Sequence, residues 1–320
     1  MLIKKDIEST IELALKKYLV CPEDEGKLNL QIGGFDNKMP YGNAKCEKCG
    51  KVYELNSGVF YFYDGSLENQ ILKPLKQNYM NNREPRDAII DMITYASNMI
   101  KALSLNPEQC AQLFEIVQKY RYDIEAFYNG YKGTFKVPKE FIDSVKTELK
   151  DTIAVECACG PGENLENLLK FLDFGIGCDI STEMAKKTNK KLLEVGNGFA
   201  FQGTAYKLPL RRDSVDGFMI FNAFDRIPWL RKLVKEIDRT VKNRGYLLIG
   251  GCEPPQWYSP ADPRLVYVPE NQRMTTDEIA NANGFNEIKR RLCPWNVTSI
   301  LDGYEKLETL VLFSKRGDVK

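Results

Sequence analysis

From Asp151 onward the chain alternates short β-rich runs with helical ones, and this order constrains its fold more than any other feature. The β-rich runs are "TIAVECA", "FGIGCDI", "GFAFQGTA", "VDGFMIFNA", "RGYLLIGG", "EIKRRLC" and "LETLVLFSK". Such alternation predicts an open α/β sheet with right-handed crossovers. The first run leads into "VECACGPGENLENLL", Val155 to Leu169. A buried strand with Ile153 and Val155 ends at Glu156, Cys157 to Gly162 make a turn, and a helix from Glu163 carries Leu165, Leu168 and Leu169 inward. Gly160 and Gly162 allow the backbone to approach a ligand that no Cβ would tolerate. The helix start adds free N–H groups and a positive dipole end.

The chain contains no histidine. That removes Ser-His-Asp and Cys-His catalysis and every histidine-ligated metal. A catalytic base must be Asp, Glu, Lys, Tyr or a water, and zinc must be held by Cys with or without a carboxylate. The net charge of +1 exerts no strong pull toward nucleic acid or an anionic membrane. No run is apolar enough for a signal sequence or a bilayer span, so a cytoplasmic protein with no membrane association is expected. In that setting the nine cysteines are expected as metal ligands or free thiols rather than disulfides.

Three parts are expected: residues 1–65, 66–150 and 151–320. The first opens with Ile3, Ile7, Ile11 and Leu15 at helical spacing and passes through a glycine-rich loop, "IGGFDNKMPYGN". It then reaches "KCEKCGKVYELNSGVFYF", where Cys46 and Cys49 form a C-x-x-C-G knuckle. Upstream, "CPEDEG" supplies Cys21, with Asp24 where a second cysteine would complete a four-cysteine site. Three cysteines and an aspartate can bind zinc tetrahedrally. Without metal, Tyr53, Leu55, Val59 and Phe60 would have to hold this region. The second part reads as helices, "PRDAIIDMITYASNMIKAL" and "NPEQCAQLFEIVQKYRYDIEAFYNGY", with Pro85, Pro107 and Pro138 at or near helix starts.

A dinucleotide loop needs a third glycine where this chain has Leu165. "ECACGPG" instead resembles the glycine loop of class I S-adenosylmethionine-dependent methyltransferases, with Glu156 as the strand-end acid and Ala158 in place of the first glycine. "GIGCDISTEM" resembles that family's second strand, which implies that Asp179 takes the ribose hydroxyls, with Ile180 beside it. "FQGTAYKLPLRRDSVDGFMIFNA" resembles the next segment, but Thr204 stands where Asp is usual. The adenine amine would then meet its hydroxyl or the Ala205 backbone. Asn164 and Asn222 complete the implied cofactor set. "VKNRGYLLIGG", with Asn243 and Arg244 substituting in the turn, resembles the fifth strand. "MTTDEIANANGFNEIKRR" and "LETLVLFSKR" resemble the closing helix and final hairpin. The resemblance implies a Rossmann-like α/β open sheet with an antiparallel last strand, and methyl transfer from S-adenosylmethionine.

The first part resembles the small zinc-ribbon domain that activates several tRNA and rRNA methyltransferases, which implies zinc at Cys21, Asp24, Cys46 and Cys49. Residues 66–150 are expected as a helical linker or lid, with Tyr128 and Tyr131 lining a substrate pocket. The long loop "CEPPQWYSPADPRLVYVPENQ" follows the carboxyl edge of the sheet, which makes Trp257 and Tyr258 candidate substrate contacts. Asp225 and Glu253 are the candidate bases. "NAFDRI" lacks the Pro-Pro-aromatic motif of DNA amino-methylases, and no nucleophilic cysteine stands there. The first 64 residues hold about as many acids as bases, which argues against a phosphate-binding module. The expected acceptor is therefore a small molecule or peptide. Structured rRNA or tRNA, and a non-catalytic cofactor-binding scaffold, are the alternatives.

Overall fold

A computed structural model describes residues 4–37, 39–63, 107–127, 136–223, 227, 229–251, 274–298 and 303–315. Helix α1 (Lys4–Lys17) turns Ile7, Ile11 and Leu15 into the core. Four antiparallel strands follow: β1 (Leu28–Asp36), β2 (Met39–Cys46), β3 (Val52–Asn56) and β4 (Val59–Tyr61). Helices α2 (Pro107–Phe127) and α3 (Lys139–Leu149) precede the alternating part.

That part runs β5 (Ile153–Cys157), α4 (Glu163–Leu168), β6 (Phe174–Asp179), α5 (Thr182–Val195), β7 (Gly198–Gln202) and β8 (Val215–Phe221). It continues through α6 (Leu230–Thr240), β9 (Val241–Gly251), α7 (Thr276–Ala282), β10 (Phe285–Thr298) and β11 (Gly303–Lys315). One sheet joins every strand in the order β1-β2-β3-β4-β7-β6-β5-β8-β9-β11-β10. Strands β7, β6, β5, β8 and β9 are parallel, and β11 runs antiparallel between β9 and β10. This is the expected Rossmann-like open sheet with its antiparallel last strand.

Both faces of the parallel strands are buried, so these strands read as continuous apolar runs. Strand residues alternate between the two faces. Val155, Ile176, Phe199 and Phe218 meet α1, α6 and α7 on one face. Ala154, Ala200, Met219 and Leu248 meet α3, α4 and α5 on the other.

The boundary expected at residue 65 does not interrupt the sheet. Strand β4 pairs in parallel with β7, Phe60 opposite Phe201 and Tyr61 opposite Gln202. The Phe62 amide donates to the Gln202 carbonyl at 2.9 Å, and the Phe62 ring meets Phe201 edge-on at 5.7 Å. β7 would otherwise be an open edge with unpaired N–H and C=O groups, and the N-terminal strands cover it.

Candidate functional site

The carboxyl ends of the parallel strands open into a cleft of about 720 Å³ including its mouth. In an open α/β sheet this is where ligands bind. The strand ends contribute Ala158 and Gly160 after β5, Asp179 and Ile180 after β6, Thr204 and Ala205 after β7, and Asn222 after β8. The sequence-predicted cofactor residues converge here, except Glu156, Gly162 and Asn164.

The turn after β5 keeps its left-handed geometry despite a methyl group. Ala158 has φ +54°, Gly160 +53° and Gly162 +77°. Gly162 serves packing rather than the ligand, because a Cβ there would lie 2.7 Å from Thr188 of α5. Asn164 is buried, and its Oδ1 accepts the Val137 amide at 2.9 Å, which ties the chain before α3 to the loop. Glu156 is sealed beneath the turn, and its Oε2 has no hydrogen-bond partner among the described residues. Burial pushes its pKa well above the ordinary carboxylate range, against the bonds from the Leu165 amide and the Asn164 side chain, with nearby Asp179 adding to the rise.

Asp179 accepts the Gly160 amide at 2.8 Å and the Ser181 amide at 2.9 Å. Burial raises its pKa to about 6 against those two bonds, and Asp123 adds to the rise. A carboxylate has about four acceptor sites, so capacity remains for a vicinal diol.

The opposite wall comes from α2, through Glu115, Gln118 and Tyr122. Asp123 anchors this helix by accepting the Ser181 hydroxyl at 2.6 Å and the Glu183 amide at 3.1 Å, a carboxylate at the positive end of α5. Glu115 is 7% exposed and Oε2 accepts the Tyr206 hydroxyl. Burial raises its pKa to about 8, opposed by the Tyr206 bond and by Lys232. Sequence reasoning passed over Glu115 and Gln118, and Tyr206 in the turn after β7. For the two helix residues the available signal was a shared helix face, since positions 115, 118 and 122 lie on one side by helical spacing.

The second cluster lies in the N-terminal strands. Ligand atoms of Cys21, Asp24, Cys46 and Cys49 all lie within 4.8 Å of one another. Cys21 Sγ and Cys49 Sγ are 3.6 Å apart, close to the ~3.8 Å edge of a zinc tetrahedron with Zn–S bonds of about 2.3 Å. Cys46 Sγ accepts the amides of Lys48 and Cys49 at 3.3 and 3.4 Å. Although burial opposes it, these bonds hold the Cys46 pKa below the ordinary thiol value. The Asp24 carboxylate accepts the Gly26 amide at 2.9 Å. Cys157 and Cys159 are buried and belong to no such cluster among the described residues. The candidates Asp225, Glu253, Tyr128, Tyr131, Trp257 and Tyr258 lie outside the described residues.

Comparison with known proteins agrees with this geometry. Residues 155–249 match the family model described as a methyltransferase domain. Similar solved structures include an S-adenosylmethionine-dependent methyltransferase from Methanosarcina mazei, 15% identical, covering 57% of this chain and 100% of that one at TM-score 0.46. Geranyl diphosphate C-methyltransferase from Streptomyces coelicolor, solved with Mg2+, geranyl diphosphate and S-adenosyl-L-homocysteine, is 15% identical over 55% of this chain and 77% of that one, at TM-score 0.41. A complex of a Haloferax volcanii methyltransferase activator with a methyltransferase gives 17% identity over 61% of this chain and 97% of that one, at TM-score 0.43. These likenesses are of fold alone. No curated protein matches the chain. Residues 155–249 thus form a methyltransferase domain within the longer chain. No helix among the described residues is long and apolar enough to cross a membrane.

Proposed function

We propose that the chain methylates a small molecule or a flexible peptide side chain bound at the carboxyl edge of the sheet, with α2 acting as part of a lid. The cleft carries this reading, because the strand ends supply one wall and α2 the other. A cleft between two such walls suits a ligand of small cross-section. S-adenosylmethionine would supply an electrophilic methyl group on sulfonium. The residues present fit it. Asp179 has acceptor capacity left for ribose hydroxyls, and Gly160 brings bare backbone to the cleft. Asp225 or Glu253 would take the acceptor's proton where one must leave.

In the same reading, Cys21, Asp24, Cys46 and Cys49 hold one structural zinc. Its job is to fix the strands that cover β7, next to Gln202 and the Asp179 loop. Gln202 Nε2 donates to the Ile180 carbonyl at 2.9 Å and the Gly203 amide to the Asp179 carbonyl at 2.9 Å, so that edge supports the ribose site.

Calorimetry with S-adenosylhomocysteine tests the reading. The chain should bind it, and Asp179→Ala should weaken binding by roughly 5- to 150-fold, as for a lost charge-assisted hydrogen bond. Affinity should also decline as pH falls below about 6, where Asp179 takes up its proton. An Asp179→Ala variant with full affinity contradicts the ribose assignment. Filter binding at two salt concentrations covers the RNA alternative. Micromolar RNA binding that drops steeply with salt would overturn the small-substrate reading.

A further inference from the structure

Two acceptors on α2 face the cleft with unfilled capacity. Glu115 Oε2 takes the Tyr206 hydroxyl, while Oε1 has no hydrogen bond among the described residues. Gln118, one helical turn on, is 5% exposed and its Oε1 has no partner among the described residues. Both side chains line the cleft together with Thr204 and Ala205. No cation forms a salt bridge with Glu115 among the described residues. The Lys232 ammonium sits over the Trp229 ring instead, at 4.0 Å. A buried acceptor without a donor is costly, as Gln118 Oε1 is, and with the Glu115 carboxyl one turn away on the same cleft-lining face the pair suits a group that offers two N–H bonds.

After β7 the strand-side wall offers no carboxyl: Thr204 stands where the resembled loop carries Asp, and it brings only a hydroxyl. We propose that helix α2, rather than the sheet, reads the amino edge of adenine, with Glu115 and Gln118 accepting the two hydrogens of the exocyclic amine. This assignment rests on S-adenosylmethionine binding at the carboxyl edge. It makes α2 a specificity element for the cofactor as well as a wall for the substrate. Cofactor binding then draws α2 onto the sheet, because the amine bridges from the cofactor to the helix.

The test uses calorimetry on the full chain with two probes: S-adenosylhomocysteine and its analogue with purine in place of adenine, which lacks only the 6-amino group. A site built to bond an amine rejects the analogue lacking it. The unaltered chain should prefer the adenine compound by about tenfold or more. Gln118→Met, close in shape but without the acceptor, should cut that preference severalfold, and so should Glu115→Met, which removes the carboxyl oxygens. Asp179→Ala should weaken both probes equally and leave the preference intact. If one α2 variant fails to fold, by far-ultraviolet circular dichroism, the other carries the test. A preference near one in the unaltered chain, or full preference in the folded α2 variants, overturns the proposal while leaving cofactor binding in place. Absence of binding to either probe overturns the S-adenosylmethionine reading itself, and this assignment with it.

Discussion

The cysteine cluster and the cleft each gather polar groups at one place, but the chain completes them to different degrees. In the cluster, the Cys46 sulfur has two backbone donors, Asp24 has the Gly26 amide, and Cys21 lies 3.0 Å from the Tyr53 hydroxyl. Those partners come from short turns and adjacent strands, so the geometry is set locally before any ligand arrives. In the cleft, Glu115 and Gln118 keep open acceptors, Glu156 beneath it keeps an orphan oxygen, and Asp179 keeps spare capacity. Its walls come from α2 and four separate strand ends. Groups that the chain satisfies itself mark a structural site. Groups it leaves open mark a site completed by something that comes and goes.

Metal removal is the strongest way to break this comparison. Elemental analysis should find about one zinc per chain. Structural zinc contributes on the order of 10 kcal/mol to folding of small modules, so chelation or Cys46→Ser should unfold the β1–β4 strands. Because β4 covers β7, the loss should spread. Hydrogen exchange should rise at Phe199 to Gln202, and affinity for S-adenosylhomocysteine should fall. A metal-free protein with unchanged melting temperature and protection would show a set of ordinary free thiols.

Glu115 gives a smaller effect with a definite pH window. Its folded pKa of about 8 stands above the ordinary 4.5. The folded state therefore holds a proton that the unfolded state has released, and stability is lost as pH rises from about 4.5 to about 8. The facing groups are the Tyr206 hydroxyl and the Lys232 ammonium, which oppose the shift without cancelling it. Glu115→Gln lacks this loss. It should melt higher than the unaltered chain at pH 8, by a few kcal/mol in order of magnitude, and nearly the same at pH 4. Equal melting temperatures at pH 8 would mean that Glu115 is better paired than its surroundings show. Gain of stability at pH 8 is the mark of a carboxyl buried without a matching cation.

The sheet was legible in the sequence because each strand from β5 to β11 lies buried between helices or pairs in a hairpin, leaving continuous apolar runs between helical ones. Asp179 and the glycine turn were legible for a local reason: strand end, turn and helix start adjoin in sequence. The cysteine cluster was legible from the spacing of Cys46 and Cys49 with Asp24 in the place of a cysteine. Three things were not. The pairing of β4 with β7 joins residues about 140 positions apart, and two short strands carry no mark of their partner. Gly162 looked like ligand space, yet Thr188 fills it, and only packing shows that. Glu115 and Gln118 read as the polar face of an amphipathic helix, and nothing local distinguishes such a face from one turned toward a cleft.

The smallest effect concerns Ala158, where the cleft stores backbone strain. An L-residue in the left-handed region costs roughly 1–2 kcal/mol, and Ala158 sits there at φ +54°. Glycine would remove that cost. It would also add unfolded-state entropy of about 0.4–1 kcal/mol and delete a methyl that packs against the core. The net for Ala158→Gly is therefore between about zero and 1 kcal/mol of stabilisation, a rise in melting temperature of roughly 0–4 °C. Ala158→Val is the opposing probe, because a β-branched side chain tolerates this region worst, and it should destabilise by more than about 1 kcal/mol. Calorimetric melting of both variants separates the two contributions. A clear drop for Ala158→Gly would mean that the methyl's packing outweighs the strain. The turn would then belong with the cysteine cluster, among the parts the chain completes for itself.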